Sequence, residues 1–193
     1  MKIKEFCTVK MGYAFRKQLQ HIPNGNAKII QPKNVSSNGI ILFEADEPWR
    51  TDASSSNPLQ SGDVLLVNRG RFTAALFDLP EPGPWIVPSS ILILSIKNNS
   101  VLPEYVALFF NSINGQKLFS RHLEKTTVPF ISAHNLAGMD IPVPSLEKQT
   151  ALIDFEKANR EYARLSNRKL QLQKLILSYE LTKEERSSER KNR

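Results

Sequence analysis

The sequence has little of what disulfide or metal chemistry requires. Cys7 is the only cysteine among 193 residues, which excludes an intrachain disulfide and a cysteine-based zinc site. The three histidines, His21, His122 and His134, lie far apart and show no metal-ligand spacing. We therefore expect no metal site, and we interpret Cys7 as a core thiol and the histidines as surface or hydrogen-bonding residues.

The sequence also lacks the short motifs that mark common catalytic sites. It contains no G-x-x-x-x-G-K-S/T phosphate-binding loop, no G-x-G-x-x-G dinucleotide motif and no G-x-S-x-G nucleophile elbow. Asp63 follows Gly62 in "SGDVLLV", a pattern that favours a turn entering a strand over a catalytic carboxylate. We predict no catalytic residues and no cofactor, and hence a chain that is not an enzyme.

Long apolar runs are missing as well. No run approaches the ~20 residues of a membrane-spanning helix, and the start "MKIKEFCTVKMG" lacks the apolar stretch of a signal peptide. We expect a cytoplasmic protein with no membrane partner. The net charge of +7 favours a polyanionic partner such as nucleic acid.

Proline and glycine are absent after Ser145, and this absence predicts one long helix. Ser145 suits the N-cap, and Glu147 lies in the first turn. A heptad repeat then forms an apolar stripe that only Lys169 interrupts. About 33 helical residues extend ~50 Å, farther than the preceding globule is wide, so we expect part of the stripe to meet another chain instead of its own domain. The candidate dimerisation residues are Phe155, Tyr162, Leu165, Leu172, Ile176 and Tyr179.

The residues before Ser145 predict a β-rich globule. Short runs rich in Val and Ile, such as "DVLLV" and "SSILILSI", indicate buried strands, while "FDLPEPGPWIVPSS" indicates a loop or an edge connection. A helix is predicted from Pro103; Gly115 can end it, and a second short helix can follow. The segment "TTVPFISAHNLAGMDIPVP" is expected to be irregular, with a short strand possible. The predicted fold class is α+β, with a globule over 1–144, a long C-terminal coiled-coil helix over 145–181 and a charged, disordered tail over 182–193.

Polar and basic residues cluster in four predicted loops of the globule. Arg, Lys, Asn and Thr are the side chains that contact phosphates and base edges, although each one alone is more often ordinary surface. The clusters lie in "GYAFRKQ", "QPKNV", "NRGRF" and "SRHLEKTTVP". The candidate DNA-binding residues are Arg16, Lys17, Lys33, Asn34, Asn68, Arg69, Arg71, Arg121, Lys125, Thr126 and Thr127.

Five segments, in this order, resemble the target-recognition domain of type I restriction–modification specificity subunits. They are "GYAF", "IIQPKNVSSNGII", "LQSGDVLLVNRG", "LPEYVALFFNS" and "MDIPVPSLEKQTALIDF". The resemblance covers about residues 5–180. The last segment is similar to the family's "IPLPPLxEQ" hinge before a long spacer helix, but Ser145 replaces a proline and Glu147-Lys148 replace the usual pair.

The resemblance implies a sequence-specific, non-catalytic subunit that binds double-stranded DNA. The usual subunit carries two recognition domains and two spacer helices, whereas this sequence has one of each and resembles a half-subunit. Its implied partners are the DNA methyltransferase (modification) subunit and, through the helix, a second copy of itself or another specificity subunit. The alternatives are a regulatory or structural half-subunit that joins or blocks a full-length complex, and an accessory domain that binds RNA.

Overall fold

The computed structural model describes residues 1–16, 19–43, 48–54, 57–79, 83–123 and 128–191. The chain divides into two compact units, Met1–Ile153 and Asp154–Arg193. The described elements, in chain order, are α1 Ile3–Phe6, β1 Cys7–Met11, β2 Ala27–Ile29, a 3-10 turn Pro32–Asn34, β3 Arg50–Thr51, β4 Val64–Val67, β5 Ala74–Leu76, β6 Trp85–Ile86, β7 Ile91–Ile96, α2 Pro103–Asn111, α3 Ile113–Arg121, α4 Ala133–Gly138 and α5 Leu146–Lys191. The mixture of sheets and helices confirms the predicted α+β class.

A four-stranded antiparallel sheet forms the centre of the first unit. Its strand order is β1-β7-β4-β5, so β4 and β7 occupy the two central positions. Both are apolar on both faces: Val64 and Leu66 pack against the helices, whereas Leu65 and Val67 pack toward the second sheet. Full burial of such a side chain stabilises the fold by about 1.5–3 kcal/mol. The continuous apolar runs therefore correspond to strands covered on both sides, as predicted.

A second, three-stranded sheet covers one face of the first. Its order is β3-β2-β6, with β2 antiparallel to β3 and parallel to β6. Trp85 and Val87 contribute to the apolar cluster shared with β4 and β7, and Phe15 packs on the opposite side against Ala27 and Ile29. The proline-rich segment predicted as a loop or an edge connection thus contains β6, a two-residue strand at the sheet edge.

Helices α2, α3 and α4 cover the other face of the four-stranded sheet. Phe110 and Phe119 are fully buried there, with ring centroids 5.2 Å apart. The predicted second short helix is present as α3, but the prediction that Gly115 ends the first helix is wrong. That helix ends at Asn111, and the Ser112 hydroxyl accepts from the Gly115 N–H at 3.2 Å, which caps the start of α3 instead.

Gly115 is required by a close approach between the two helices. A Cβ atom at this position would lie 2.2 Å from the carbonyl oxygen of Phe109, which no side chain tolerates. The segment predicted to be irregular also departs from expectation, because α4 forms within it. The Ser132 hydroxyl accepts from the Asn135 N–H and caps that short helix.

The segment that leads into the long helix is held by two buried polar side chains. The Tyr105 hydroxyl donates to the Pro142 carbonyl at 2.7 Å. Gln149, which is fully buried, accepts from the Leu102 N–H at 2.9 Å and donates to the carbonyls of Ser100 and Pro144, each at 2.8 Å. The Gln149 amide thereby joins the first turns of α5 to the loop that precedes α2.

Helix α5 begins where the sequence predicts. Ser145 is its N-cap: the Gln149 N–H donates to the Ser145 carbonyl at 2.9 Å, and the Lys148 N–H donates to the Ser145 hydroxyl at 3.4 Å. The predicted helix ends at Leu181, whereas the observed helix continues to Lys191. The added residues are mostly Lys, Glu and Arg, which are favourable helix formers. The proposed domain boundaries stay a prediction.

Replacing Gln149 tests the bonds at the start of α5. The Gln149→Ala substitution leaves one buried donor and two acceptors without partners, so we expect the free energy of unfolding to fall by about 2–4 kcal/mol. Gln173→Ala, on an exposed part of the same helix, should change it by less than about 0.5 kcal/mol. Urea unfolding of both variants at one protein concentration measures the difference. Equal stabilities would contradict the role assigned to Gln149.

Cys7 provides a second test of the core. Burial raises the pKa of its thiol to about 12, an effect that the charge of Lys97 only partly opposes. The neutral thiol is thus favoured in the folded state, and its contribution to stability is complete below pH 9 and is lost as the pH rises toward 12. We expect slow modification by a thiol reagent at pH 8 in the native protein and fast modification in denaturant. Rapid native labelling would contradict this placement.

Candidate nucleic-acid interface

The turn after β4 is the best-defined part of the candidate interface. The Asn68 N–H donates to the Ser90 carbonyl and the Asn68 carbonyl accepts from the Ile131 N–H, both at 3.0 Å. The Gly70 N–H donates to the Pro129 carbonyl at 3.1 Å. The turn at 68–70 therefore pairs with the segment 129–131, which lies about 60 residues later in the sequence.

Arg69 lies at the tip of this turn and is exposed. It forms an antiparallel bridge with Phe130, and its guanidinium carbon lies 5.3 Å from the centroid of the Phe130 ring. This is the distance of a cation–π contact. Gly70 has a φ of +71°, which glycine adopts without strain, and it turns the chain directly after Arg69. The arrangement presents a cation to the outside on a constrained backbone.

Asn68 has a different environment from its neighbours. It is 4% exposed, and its side-chain oxygen Oδ1 is buried with no hydrogen-bond donor in the described residues. A buried acceptor without a partner reduces stability by about 1–3 kcal/mol. The turn is therefore not optimised for stability alone. The assignment of Asn68 to DNA contact stays a prediction.

Three other predicted cations are exposed on separate segments. Arg71 follows the turn just described, and Arg121 ends α3. Arg16 follows the segment "GYAF", whose Tyr13 exchanges backbone hydrogen bonds with Val87 and Ser89 at 2.7 and 2.9 Å. These side chains have the exposure that DNA contact requires. The predicted site residues Lys17, Lys125, Thr126 and Thr127 lie outside the described residues.

The Lys33–Asn34 pair divides into an exposed and a buried member. Lys33 is exposed on the 3-10 turn. Asn34 is 6% exposed, and both ends of its amide are used: the oxygen accepts from the Gln31 N–H and the nitrogen donates to the Leu42 carbonyl, each at 2.9 Å. Asn34 therefore stabilises its loop, while its assignment to DNA contact stays a prediction.

Asp63 is explained by the fold, as the sequence indicates. One of its carboxylate oxygens accepts from the Gln60 N–H at 2.9 Å and the other from the Ser95 hydroxyl at 2.7 Å. It lines a shallow cavity of about 170 Å³ together with Lys10. In the described part of the chain, no three His, Cys, Asp or Glu side chains form a group able to hold a metal ion. Across those same residues, no helix is both long and apolar enough to cross a membrane.

Sequence reasoning missed Phe130, Tyr105 and Gln149 as important side chains. Tyr105 and Gln149 lie in two of the quoted family-like segments, so their hydrogen bonds give those segments a structural meaning. The only sequence signal for Phe130 was an aromatic residue between Pro129 and Ile131 in a segment expected to be irregular. Its partner Arg69 is too distant in sequence for any local pattern to reveal the contact.

The second unit presents an apolar stripe of its own. The six predicted dimerisation residues are between 43% and 74% exposed within the single chain. Polar pairs occupy other positions of the helix, including Glu161, whose carboxylate accepts two hydrogen bonds of 2.7 Å from the guanidinium of Arg164. Arg164 lowers the pKa of Glu161 mainly through these bonds. A heptad stripe exposed in this way is typical of helices that pair with another helix.

The comparison with known families gives one match that covers most of the chain. The family described as the type I restriction modification DNA specificity domain matches residues 1–171. No curated protein sequence matches the chain.

Three solved structures share the fold. The first belongs to work on complex assembly and conformational transition of the type I R-M system, and it has a TM-score of 0.65. The second is the HsdS subunit from Thermoanaerobacter tengcongensis, with a TM-score of 0.60, and the third is the S subunit of the type I restriction-modification system from M. genitalium, with 0.54. Each is 16% identical, and they cover 87%, 86% and 83% of this chain. The chain spans only 39%, 38% and 38% of theirs.

The role of Asn34 can be separated from that of its exposed neighbour. Asn34→Ala removes two hydrogen bonds to the backbone, so we expect the free energy of unfolding to fall by about 1–3 kcal/mol. Lys33→Ala, next to it on the surface, should change stability by less than about 0.5 kcal/mol. Thermal unfolding followed by circular dichroism measures both. A stable Asn34→Ala protein would show that the amide is dispensable for the loop.

Proposed function

Because the chain belongs to the family of type I restriction–modification DNA specificity domains, we propose that it recognises a short sequence of double-stranded DNA. It does so as the specificity subunit of a type I restriction–modification complex in the cytoplasm. The observation that carries the proposal is the family match over residues 1–171. In this function the chain is not itself an enzyme, and a partner methyltransferase subunit carries out the modification.

The distribution of cations on the first unit supports this function. Arg16, Lys33, Arg69 and Arg71 are exposed on loops or turns, whereas the sheets beneath them are apolar. Loops that carry binding residues on a rigid scaffold are a common arrangement in proteins. Loop cations attract the phosphate backbone, and base edges are read by arginine and polar side chains of the loops.

We assign the exposed stripe of α5 to pairing with a second copy of the chain. The stripe repeats from Phe155 to Tyr179, and a second copy offers a stripe of the same length and spacing. A dimer built from one surface patch on both protomers has twofold symmetry. Lys169 interrupts the stripe and is expected to fix the register of the two helices at some loss of stability.

DNA binding should depend steeply on salt. With about three phosphate contacts per chain, from Arg16, Lys33 and Arg71, affinity for duplex DNA falls about fortyfold between 50 and 200 mM salt. Fluorescence anisotropy over this range gives the slope. Arg71→Ala should reduce the slope by about one, whereas Lys4→Ala, on the surface of α1, removes the same charge without changing it. A slope near zero for the unaltered protein would contradict DNA binding through phosphates.

The oligomeric state tests the role of the stripe. We expect a dimer by size-exclusion chromatography with light scattering at micromolar concentration. The double substitution Leu165→Asp and Leu172→Asp places charges in the helix interface and should give a folded monomer. The matched control carries Asn167→Asp and Lys174→Glu, which lie on the other side of the helix, and should stay dimeric. A monomeric unaltered protein would point to pairing with a different specificity chain.

A further inference from the structure

Among the candidate DNA-contacting residues, Arg69 has the backbone position and side-chain placement that the structure constrains most. Its backbone is fixed on both sides, because Asn68 bonds to Ile131 and Gly70 bonds to Pro129. Ile131 is fully buried, so the strand-like segment opposite the turn is anchored in the apolar core. A turn anchored in this way keeps its position when a ligand approaches.

The side chain of Arg69 is constrained as well. Its guanidinium lies over the ring of Phe130, with Cζ 5.3 Å from the ring centroid. Within the described residues, Arg69 forms no ion pair with a carboxylate. The guanidinium thus has an aromatic support on one side, and no carboxylate within the described ranges occupies its hydrogen-bond donors.

The buried oxygen of Asn68 is an independent sign that this turn serves binding. Its Oδ1 atom has no donor in the described residues although Asn68 is 4% exposed. Buried acceptors in native proteins normally have partners, and exceptions call for an explanation other than stability. The unpaired oxygen and the supported guanidinium belong to adjacent residues of one turn.

From this geometry we propose that Phe130 is a positioning residue that orients Arg69 for a planar, two-point contact with a guanine base. The proposal rests on the DNA-reading function proposed above and names the contact through which it acts. An arginine guanidinium can donate two parallel hydrogen bonds to the O6 and N7 atoms of guanine in the major groove.

A base contact fits the geometry better than a phosphate contact. A phosphate accepts hydrogen bonds from many directions, and a mobile lysine can also bind it as a point charge. The two acceptors of guanine lie in one plane, so a guanidinium already supported on an aromatic ring loses less side-chain entropy when it binds them. The support by Phe130 would be of little use to a simple phosphate contact.

The test begins with the full-length chain and a random-sequence duplex library. Selection and sequencing of bound duplexes give the preferred base at each position. The same selection is then made with Arg69→Ala, Arg69→Lys, Phe130→Leu, Phe130→Tyr and the double variant Arg69→Ala with Phe130→Leu. Circular dichroism confirms that each variant folds, and Phe130→Leu keeps an apolar side chain in case a smaller residue would disturb the segment.

We expect Arg69→Ala and Arg69→Lys to lose the preference for guanine at one position of the site. Arg69→Ala should weaken binding to the preferred sequence about tenfold or more, with an almost unchanged salt slope. Phe130→Leu should relax the same position and weaken binding about two- to fivefold, while Phe130→Tyr retains the ring and the preference. The double variant should be no weaker than Arg69→Ala, because the effects are coupled.

Three results would overturn the inference while leaving DNA recognition in place. One is a full guanine preference in Arg69→Lys. Another is a salt slope reduced by about one in Arg69→Ala with all base preferences intact, which identifies a phosphate contact. The third is strict additivity of Arg69→Ala and Phe130→Leu. If the unaltered chain selects no sequence at all, the proposed function fails, and the inference fails with it.

Discussion

Burial of β4 and β7 on both faces is the constraint on which the rest of the first unit depends. Alternate side chains of β4 belong to two apolar clusters: Leu66 faces the helices, and Leu65 faces the three-stranded sheet. Neither layer can be removed without exposing one side of the central strands. The buried strands therefore hold the ends of their loops in place. The turn that carries Arg69 follows β4 directly.

In this arrangement, the residues that stabilise the fold are different from those proposed to contact DNA. The buried amides of Asn34 and Gln149 hold backbone segments in place and have little exposure to a ligand. The cations that could meet DNA are exposed and contribute little to the core. If the proposed function holds, substitutions of such loop residues alter the DNA sequence that is read, while the sheets and the start of α5 keep their geometry.

Local patterns were enough to predict the elements that depend on local interactions. The apolar runs of β4 and β7, the Ser145 cap and the helix start at Pro103 were all visible in the sequence. Gly115 was misread because glycine suggests a helix end, whereas here it permits a close contact with the Phe109 carbonyl. The two-residue strand β6 was not predicted as a strand, because its pairing with β2 joins distant segments.

In the candidate site, too, local sequence predicts some features, whereas others depend on contacts between distant segments. The loop position and exposure of Arg69 follow from its sequence context, but its contact with Phe130 depends on pairing between residues about 60 positions apart. The burial of Asn34 and Asn68 was also hidden, since asparagine in a loop is equally compatible with a ligand contact and with a local hydrogen bond. Residue type identified the candidates, and tertiary structure divided the described ones into exposed and buried groups.

In the proposed function, two copies of this chain read DNA as a symmetric pair. A twofold dimer places equivalent recognition surfaces on two half-sites related by the same axis. Mapping DNA methylation across the genome, with and without the gene for this chain, tests this most directly. The account predicts that deletion removes methylation from one interrupted palindrome. Unchanged methylation, or loss from a site with two unrelated halves, would contradict it.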